Sequence, residues 1–338
     1  MTKVSVVMSV YNEPIEWIRT AIDSIVNQSF PDWEFIIIND KPDNSDNATL
    51  LSEYAEKDSR ISIITNEHNI GLTKSLNKGL KVAKGQYIAR MDADDMSLPQ
   101  RLERQVRFLD SHQNILAVGS WTGSIDENGN RLNATGRYET DYRWVRAQFI
   151  QNSQISHPAV MFHRIINNEL VQYDESVRYA QDYSLMVWIL QYGEITNLPE
   201  VLFCYRTSDI QITASKKTEQ QACAFKAQKK AFSLFGFNAS QQFQDLFHRL
   251  TIQHYMDHSY DVVIKEFKSF FSSNKLTKQN ALALELIYSN YLYLLKHLNS
   301  NSLVKTFGSV IKYNSFDMNV LGVRLFTHLL VRKIKRTI

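Results

Sequence analysis

The first hundred residues alternate between two hydrophobic periods, and that alternation restricts the fold more than any other feature of the chain. Val4 to Tyr11 is a continuous run rich in β-branched residues, as a strand buried on both faces requires. Asn12 offers a helix N-cap with Pro14 in the first turn, and Ile15, Ile18, Ile22, Ile25 and Val26 follow at helical spacing. Trp33 to Ile38 reads as the second strand, Asn47 to Asp58 as a helix and Ile61 to Thr65 as the third strand. Leu72, Leu76 and Leu80 make the next helical stripe, with Gly85 as its C-terminal cap, and Gln86 to Met91 reads as the fourth strand. A β-α-β-α-β order gives a parallel sheet covered by helices on both faces. Ligands bind such sheets beyond the carboxyl ends of the strands. Tyr11-Asn12-Glu13, Asn39-Asp40 and Asp92 to Asp95 all fall there.

Beyond residue 115 the pattern is mixed. Ile115 to Ser120, Ile155 to His163 and Val201 to Tyr205 read as strands, Asn128-Gly129 as a hairpin turn between two more, and Tyr183 to Tyr192 as a buried helix. From Ser215 onward the spacing of apolar residues is helical throughout. The expected division is an α/β domain over residues 1–214 and a helical region over 215–338.

Charge and cysteine usage narrow the function classes. A net charge of +3 excludes nucleic acid as the expected partner. It conceals a basic end, however: no acidic residue follows Asp317, while Arg324, Arg332, Lys333, Lys335 and Arg336 accumulate. Residues 320–338 mix these cations with Leu321, Leu325, Phe326, Leu329, Leu330 and Ile334, a pattern that suits either an anionic membrane surface or a helix packed on the domain. Cys204 and Cys223 fit no zinc, redox or disulfide spacing, which suits a reducing compartment. No signal-peptide pattern opens the sequence and no run reaches the roughly 20 apolar residues of a bilayer span. The expectation is a cytoplasmic protein, peripheral on the inner face of the cell membrane.

The sharpest chemical feature is Met91-Asp92-Ala93-Asp94-Asp95, three carboxylates in four residues. Such a cluster repels itself unless a cation is near, and Mg²⁺ or Mn²⁺ typically combines one or two carboxylates with substrate phosphates. It also reads as an acidic cap on the helix near Pro99. Asp40 reads as a turn residue or a nucleoside ligand, and Glu13 as a first-turn dipole partner or a ligand. Neither a P-loop nor G-x-G-x-x-G occurs, so phosphates here call for metal and scattered basic groups. Asp182 precedes an apolar helix, as an N-cap or as a general base whose ionised form the helix dipole favours. His163 fits a packed interior position, whereas His157, just before Pro158, is placed to line an acceptor site.

Together these motifs resemble glycosyltransferase family 2, inverting enzymes of the GT-A fold. The resemblance runs through VSVVMSVYNE, FIIIND, the N-x-G-L of Asn69 to Leu72, M-D-A-D-D, Pro99-x-Arg101-Leu102 and Ser156-His157-Pro158-Ala159-Val160-Met161. It ends with Ala180-Gln181-Asp182-Tyr183, Asn197-Leu198-Pro199 and Tyr205-Arg206 with Gln211, covering residues 3 to 213. It implies that Tyr11, Glu13, Asp40, Asn69 and Asp92 bind the nucleotide-sugar, and that Asp94 holds Mn²⁺ or Mg²⁺ against the diphosphate. It further implies Asp182 as catalytic base and Arg206 beside the diphosphate. Asn39-Asp40-Lys41-Pro42 departs from the family's acidic-glycine-serine turn, Gln181 stands where Glu is common, and Ser208 where a histidine often follows Tyr-Arg. The Q-x-x-R-W pattern of processive synthases is absent, which implies single-sugar transfer.

The expected activity is metal-dependent transfer of one hexose from a uridine diphosphate donor to a lipid-linked saccharide in surface-polysaccharide assembly. Two alternatives stand beside it. A nucleotidyltransferase of similar fold would bring a glycine-rich basic loop that residues 8 to 14 lack. A non-catalytic sugar-nucleotide or polysaccharide-binding module would have no need of Asp182 together with Asp94.

Overall fold

The computed structural model describes residues 2–208, 217–249, 251, 260–274, 277 and 279–298. The chain divides into two compact units, Met1–Leu234 and Phe235–Ile338. The first unit opens with the alternation expected from sequence: β1 (Val4–Val10), α1 (Ile15–Val26), β2 (Trp33–Asn39), α2 (Ser45–Lys57), β3 (Ile61–Thr65), α3 (Leu72–Val82) and β4 (Tyr87–Asp92). It continues through β5 (Met96–Ser97), α4 (Arg101–Ser111), β6 (Ile115–Ile125), β7 (Arg131–Gly136), α5 (Tyr142–Gln148) and a 3-10 turn, His157–Ala159. Then come β8 (Met161–His163), the small hairpin β9 (Ile165–Ile166) and β10 (Glu169–Leu170), α6 (Gln181–Ile189), β11 (Glu194–Arg206) and α7 (Lys217–Leu234).

One mixed, mainly parallel sheet orders these strands β3-β2-β1-β4-β8-β6-β11-β5, with β7 on β6. The first four are parallel, β8 runs antiparallel to both β4 and β6, and β6 pairs parallel with β11. Both faces are covered. Val6, Met8 and Val10 pack with Ile18, Ile22 and Ile25 of α1, while Val7 faces Leu76 and Leu80 of α3 on the other side. That two-sided burial is why β1 and β2 are apolar at nearly every position instead of alternating. The register pairs Val10 with Asn39 and Ser9 with Asp92, so the carboxyl ends of β1, β2 and β4 finish at one edge.

Four local expectations are corrected. Asn12 does not cap α1: the helix starts at Ile15 behind Pro14, because the preceding residues form a turn in which the Tyr11 N–H donates to Glu13 Oε2 at 2.8 Å. Gly85 is not a helix cap either. α3 ends at Ala83, and a Cβ at Gly85 would meet the Ser5 nitrogen at 2.5 Å, so this glycine is required by close backbone approach. Ile155 to His163 is not one strand, since Pro158 lies inside the 3-10 turn and β8 starts only at Met161. The strand beginning at Ile115 runs unbroken to Ile125 and enters the hairpin directly, with Gly129 at φ +85°.

The second unit contains α8 (Gln241–His248), α9 (Tyr260–Ser273) and α10 (Ala281–Leu298). Ser240 caps α8 by accepting the Phe243 N–H at 3.0 Å, and Phe243 stacks on Phe270 with centroids 4.1 Å apart. Among the described residues no helix is long and apolar enough to cross a membrane. The basic stretch 320–338 and Gln211 lie outside the described residues.

Candidate active site

β4 delivers the acidic turn. Pleating places Tyr87, Ala89 and Met91 in the core layer beneath α1 and α4, and Ile88 in the opposite layer with α3 and α6. Arg90 alternates with Ile88 and is only 2% exposed, yet carries a full charge. Its guanidinium donates to the Met91 carbonyl and the Asp92 carboxylate, while its Nε is buried without a hydrogen-bond partner. The same charge is felt at Glu13, Asp94, Asp95, His157, Tyr173 and Asp182. One buried guanidinium therefore lies at the centre of the constellation that the motifs suggested. Sequence reasoning passed over it; the available signal was a lone cation within the apolar run Tyr87 to Met91.

The turn after Asp92 draws Asp92, Asp94 and Asp95 together, with one oxygen from each within 4.8 Å of the others. Asp95, which the sequence reading left out of the site, is fully buried; its Oδ1 accepts the Arg206 N–H at 2.8 Å and its Oδ2 has no partner. Burial, reinforced by the charges of Asp92 and Glu13, pushes the Asp94 carboxyl up to about 7. Burial likewise raises Asp95 and, against the opposing Tyr11 N–H, Glu13. Arg90 pairs with Asp92, and the mutual repulsion that helps to raise Asp94 and Asp95 is the condition a hard divalent cation relieves.

Arg206 lies beneath this turn. It is 1% exposed, and its guanidinium donates to the carbonyls of Asp94 (2.6 Å), Asp126 (2.8 Å) and Glu127 (3.1 Å) and lies 5.0 Å from the Trp17 ring centroid. It fastens the β6–β7 hairpin tip to the acidic turn. Asp40 at the end of β2 is 2% exposed. Its Oδ1 accepts from Asn66 Nδ2 (2.8 Å) and the Ile70 N–H (2.9 Å), and its Oδ2 from the Gly71 N–H (2.9 Å). Since Gly71 is the N-cap of α3, Asp40 serves that helix as a cap supplied from a neighbouring strand. Tyr11 is 44% exposed at the rim with Lys41 Nζ 5.7 Å from its ring centroid, and Asn47 Nδ2 holds its carbonyl at 3.0 Å. Asn69 is exposed in the turn that Asp40 anchors.

Asp182 reaches the same field from the other half of the sheet. α6 starts behind Ala180, a non-glycine residue at φ +58°, and Asp182 lies in its first turn. Burial raises its pKa, opposed by backbone N–H groups of Tyr183 and Asp182 and by the Arg90 charge. His157 flanks this region because β8 runs antiparallel to β4, and the Val160 carbonyl accepts the Arg90 N–H at 3.0 Å. His157 Nε2 is 2.7 Å from the Tyr173 hydroxyl. Beneath them the fully buried Arg101 donates to Ser97 Oγ (2.9 Å), the Arg90 carbonyl (2.7 Å) and the Val160 carbonyl (3.3 Å). Its neighbour Gln105 donates to the carbonyls of Val118 (3.1 Å) and Ala159 (2.8 Å).

A family model described as glycosyl transferase family 2 matches residues 5–170. The O-antigen biosynthesis glycosyltransferase WbnJ of Escherichia coli is 32% identical over 226 residues, covering 66% of this chain and 84% of that protein. The chain belongs to glycosyltransferase family 2. It is therefore a transferase, and family relatives include an uncharacterised glycosyltransferase of Methanocaldococcus jannaschii, 40% identical over 186 residues. That match covers 55% of this chain and 63% of the relative's length. Among solved structures, the mannosyltransferase PcManGT from Pyrobaculum calidifontis, in complex with GDP-Man and Mn²⁺, superposes with a TM-score of 0.55 at 16% identity. The superposition covers 88% of this chain and 82% of that one, and identifies the family 2 architecture here as the GT-A fold.

Proposed function

We propose that this family 2 enzyme transfers a single sugar, with inversion, from a nucleoside diphosphate sugar to a hydroxyl of a lipid-linked saccharide. The donor in this reading is a uridine diphosphate hexose, the reaction takes place at the cytoplasmic membrane face, and a divalent cation is required. The observation that carries the proposal is the pairing, across one buried Arg90, of an acidic turn that needs a cation with a separate carboxylate at a helix start.

The residues present fit a divalent ion. Burial, and after it the charges of Asp92 and Glu13, pushes the Asp94 carboxyl up to about 7, Asp95 Oδ2 is buried without a partner, and Arg90 already engages Asp92. Asp94 would hold the ion, with Asp92 and Asp95 at its sides. When bound, Mn²⁺ or Mg²⁺ supplies Lewis-acid stabilisation of the departing diphosphate. The chain's own residues do the rest. Tyr11 offers a ring face at the rim for the base, Glu13, Asn69 and Asp92 offer polar groups to the nucleoside, and the buried Asp40 holds the turn that carries Asn69. Arg206 contributes by holding the carbonyl side of the acidic turn in place. Asp182 takes the proton of the acceptor hydroxyl as its oxygen bonds to the anomeric carbon. The bond from that carbon to the diphosphate oxygen breaks, and its electron pair leaves with the nucleotide.

A panel of nucleotide-sugars incubated with the purified protein and Mn²⁺ or Mg²⁺, then with EDTA, tests this. Slow release of one nucleoside diphosphate, abolished by EDTA, is expected. No release from any donor, together with no donor binding by calorimetry in the presence of metal, overturns it.

A further inference from the structure

Tyr173 is held with unusual care for a residue in a loop. The Asn77 side chain of α3 pairs with both of its backbone groups, accepting the Tyr173 N–H at 2.8 Å and donating to the Tyr173 carbonyl at 2.9 Å. The ring is 4% exposed and meets His157 edge-on, with centroids 5.5 Å apart. Its hydroxyl has one protein partner among the described residues, His157 Nε2 at 2.7 Å. His157 is fixed from its own side by the 3-10 turn, whose Ala159 carbonyl accepts from Gln105, with the following Val160 carbonyl accepting from Arg101.

This geometry decides which ring nitrogen carries the proton. Burial and the Arg90 charge hold the His157 pKa well below its usual value, so the ring is neutral, and burial raises that of Tyr173, so the phenol keeps its hydrogen. If Nε2–H donated to the phenol oxygen, the buried phenol hydrogen would have no protein acceptor, at a cost of about 1–3 kcal/mol. The satisfied arrangement has the Tyr173 hydroxyl donating to a bare Nε2, which puts the imidazole hydrogen on Nδ1. Nδ1 has no hydrogen-bond partner among the described residues, and His157 as a whole is partly exposed.

We propose that Tyr173 locks His157 as the Nδ1–H tautomer and that this N–H is a hydrogen-bond donor for an oxygen of the saccharide acceptor beside Asp182. The inference rests on the transferase reading for its ligand, and on the Asn77–Tyr173–His157 geometry for its tautomer. His157 opens the 3-10 turn that leads into β8, and β8 pairs with β4, the strand that ends in the acidic turn. The roles are complementary. Asp182 can only accept, and takes the hydrogen of the reacting hydroxyl; His157 can only donate from its open side, and fixes a neighbouring oxygen so that the nucleophile points at the anomeric carbon. His157 is thus a substrate-binding residue and Tyr173 a positioning residue.

Two measurements test it. In protein labelled with ¹⁵N at histidine, at pH 7, His157 should show a protonated Nδ1 and a bare Nε2, and Y173F should convert this to a mixture. A cationic ring, or Nε2–H as the main form in the parent chain, overturns the lock. The second measurement uses octyl glycosides of glucose, galactose, N-acetylglucosamine and rhamnose as acceptors, with the donor found by the hydrolysis panel. H157N keeps a donor nitrogen at the Nδ1 position, whereas H157Q keeps only the Tyr173 contact. H157Q should lose about tenfold in kcat/KM for the acceptor, the worth of one hydrogen bond. H157N should retain most of the transfer rate, and H157Q should lose transfer to the glycosides by a larger factor than it loses donor hydrolysis by water. Equal losses in both variants, matched by loss of donor hydrolysis, overturn the binding role in favour of a structural one. Donor hydrolysis without transfer to any octyl glycoside by the parent chain overturns the acceptor assignment. No donor turnover together with no donor binding refutes the transferase reading instead, while the ¹⁵N spectrum still decides the tautomer.

Discussion

Replacing Asp40 with asparagine tests how the acidic edge is held, without reference to activity. The carboxylate accepts from three donors, and its two oxygens face different backbone N–H groups, Ile70 on Oδ1 and Gly71 on Oδ2. In D40N the new amide nitrogen must point at one of those N–H groups whichever way the side chain is turned. One charge-assisted bond is lost, worth about 1.5–3 kcal/mol, and the anion that complements the α3 N-terminus is lost with it, worth about 0.3–1 kcal/mol. The expected destabilisation is about 2–4 kcal/mol, which for a unit of this size lowers Tm by roughly 5–12 °C. Thermal melts followed by circular dichroism measure it, with calorimetry of nucleotide binding well below the transition as a second readout. If D40N melted within about 2 °C of the parent, the clamp would not be what fixes the turn before α3, and the assignment of Asp40 as a distant helix cap would be wrong.

Three further outcomes are expected. D182N should lower kcat by about 10²–10⁴-fold while donor affinity measured by calorimetry survives; loss of affinity with kcat intact would reassign the residue. Burial raises the Asp182 pKa and a base works only when ionised, so kcat/KM should fall with decreasing pH along a limb lying above the ordinary carboxylate range. A limb at the ordinary position would place the base elsewhere. A180G removes a left-handed strain of about 1 kcal/mol and should raise Tm by about 2–4 °C, while slackening Asp182 lowers kcat at unchanged donor KM.

The parallel half of the sheet was legible because its strands are buried on both faces and so are written as unbroken apolar runs ending in carboxylates. The same logic places Glu13, Asp40 and Asp92 at the carboxyl ends of β1, β2 and β4. What could not be read was the set of partners brought in from a distance. Arg90 looks like a stray charge until its neighbours from residues 157, 173 and 182 are known. Tyr173 is an ordinary aromatic in sequence, and only folding brings it to His157 and to Asn77, 96 residues earlier. Asp95 could not be separated from Asp94 by spacing alone, because the chain leaves the strand at Asp92 and pleat alternation no longer applies. The Asn12 and Gly85 assignments failed for a related reason: each residue type has a strong local role that tertiary contacts displaced.

Arg101 and Gln105 between them hold the carbonyls of Arg90, Val118, Ala159 and Val160, groups far apart in sequence. Segments tied to a shared pair of side chains do not open one at a time. The amides of β4, β6 and β8 should accordingly exchange with deuterium only through unfolding of the whole first unit, while those of the Tyr11 turn and the residues after Asn66 exchange through smaller openings. Breathing would then be confined to the rim, leaving the floor beneath the acidic turn among the last parts of the first unit to yield.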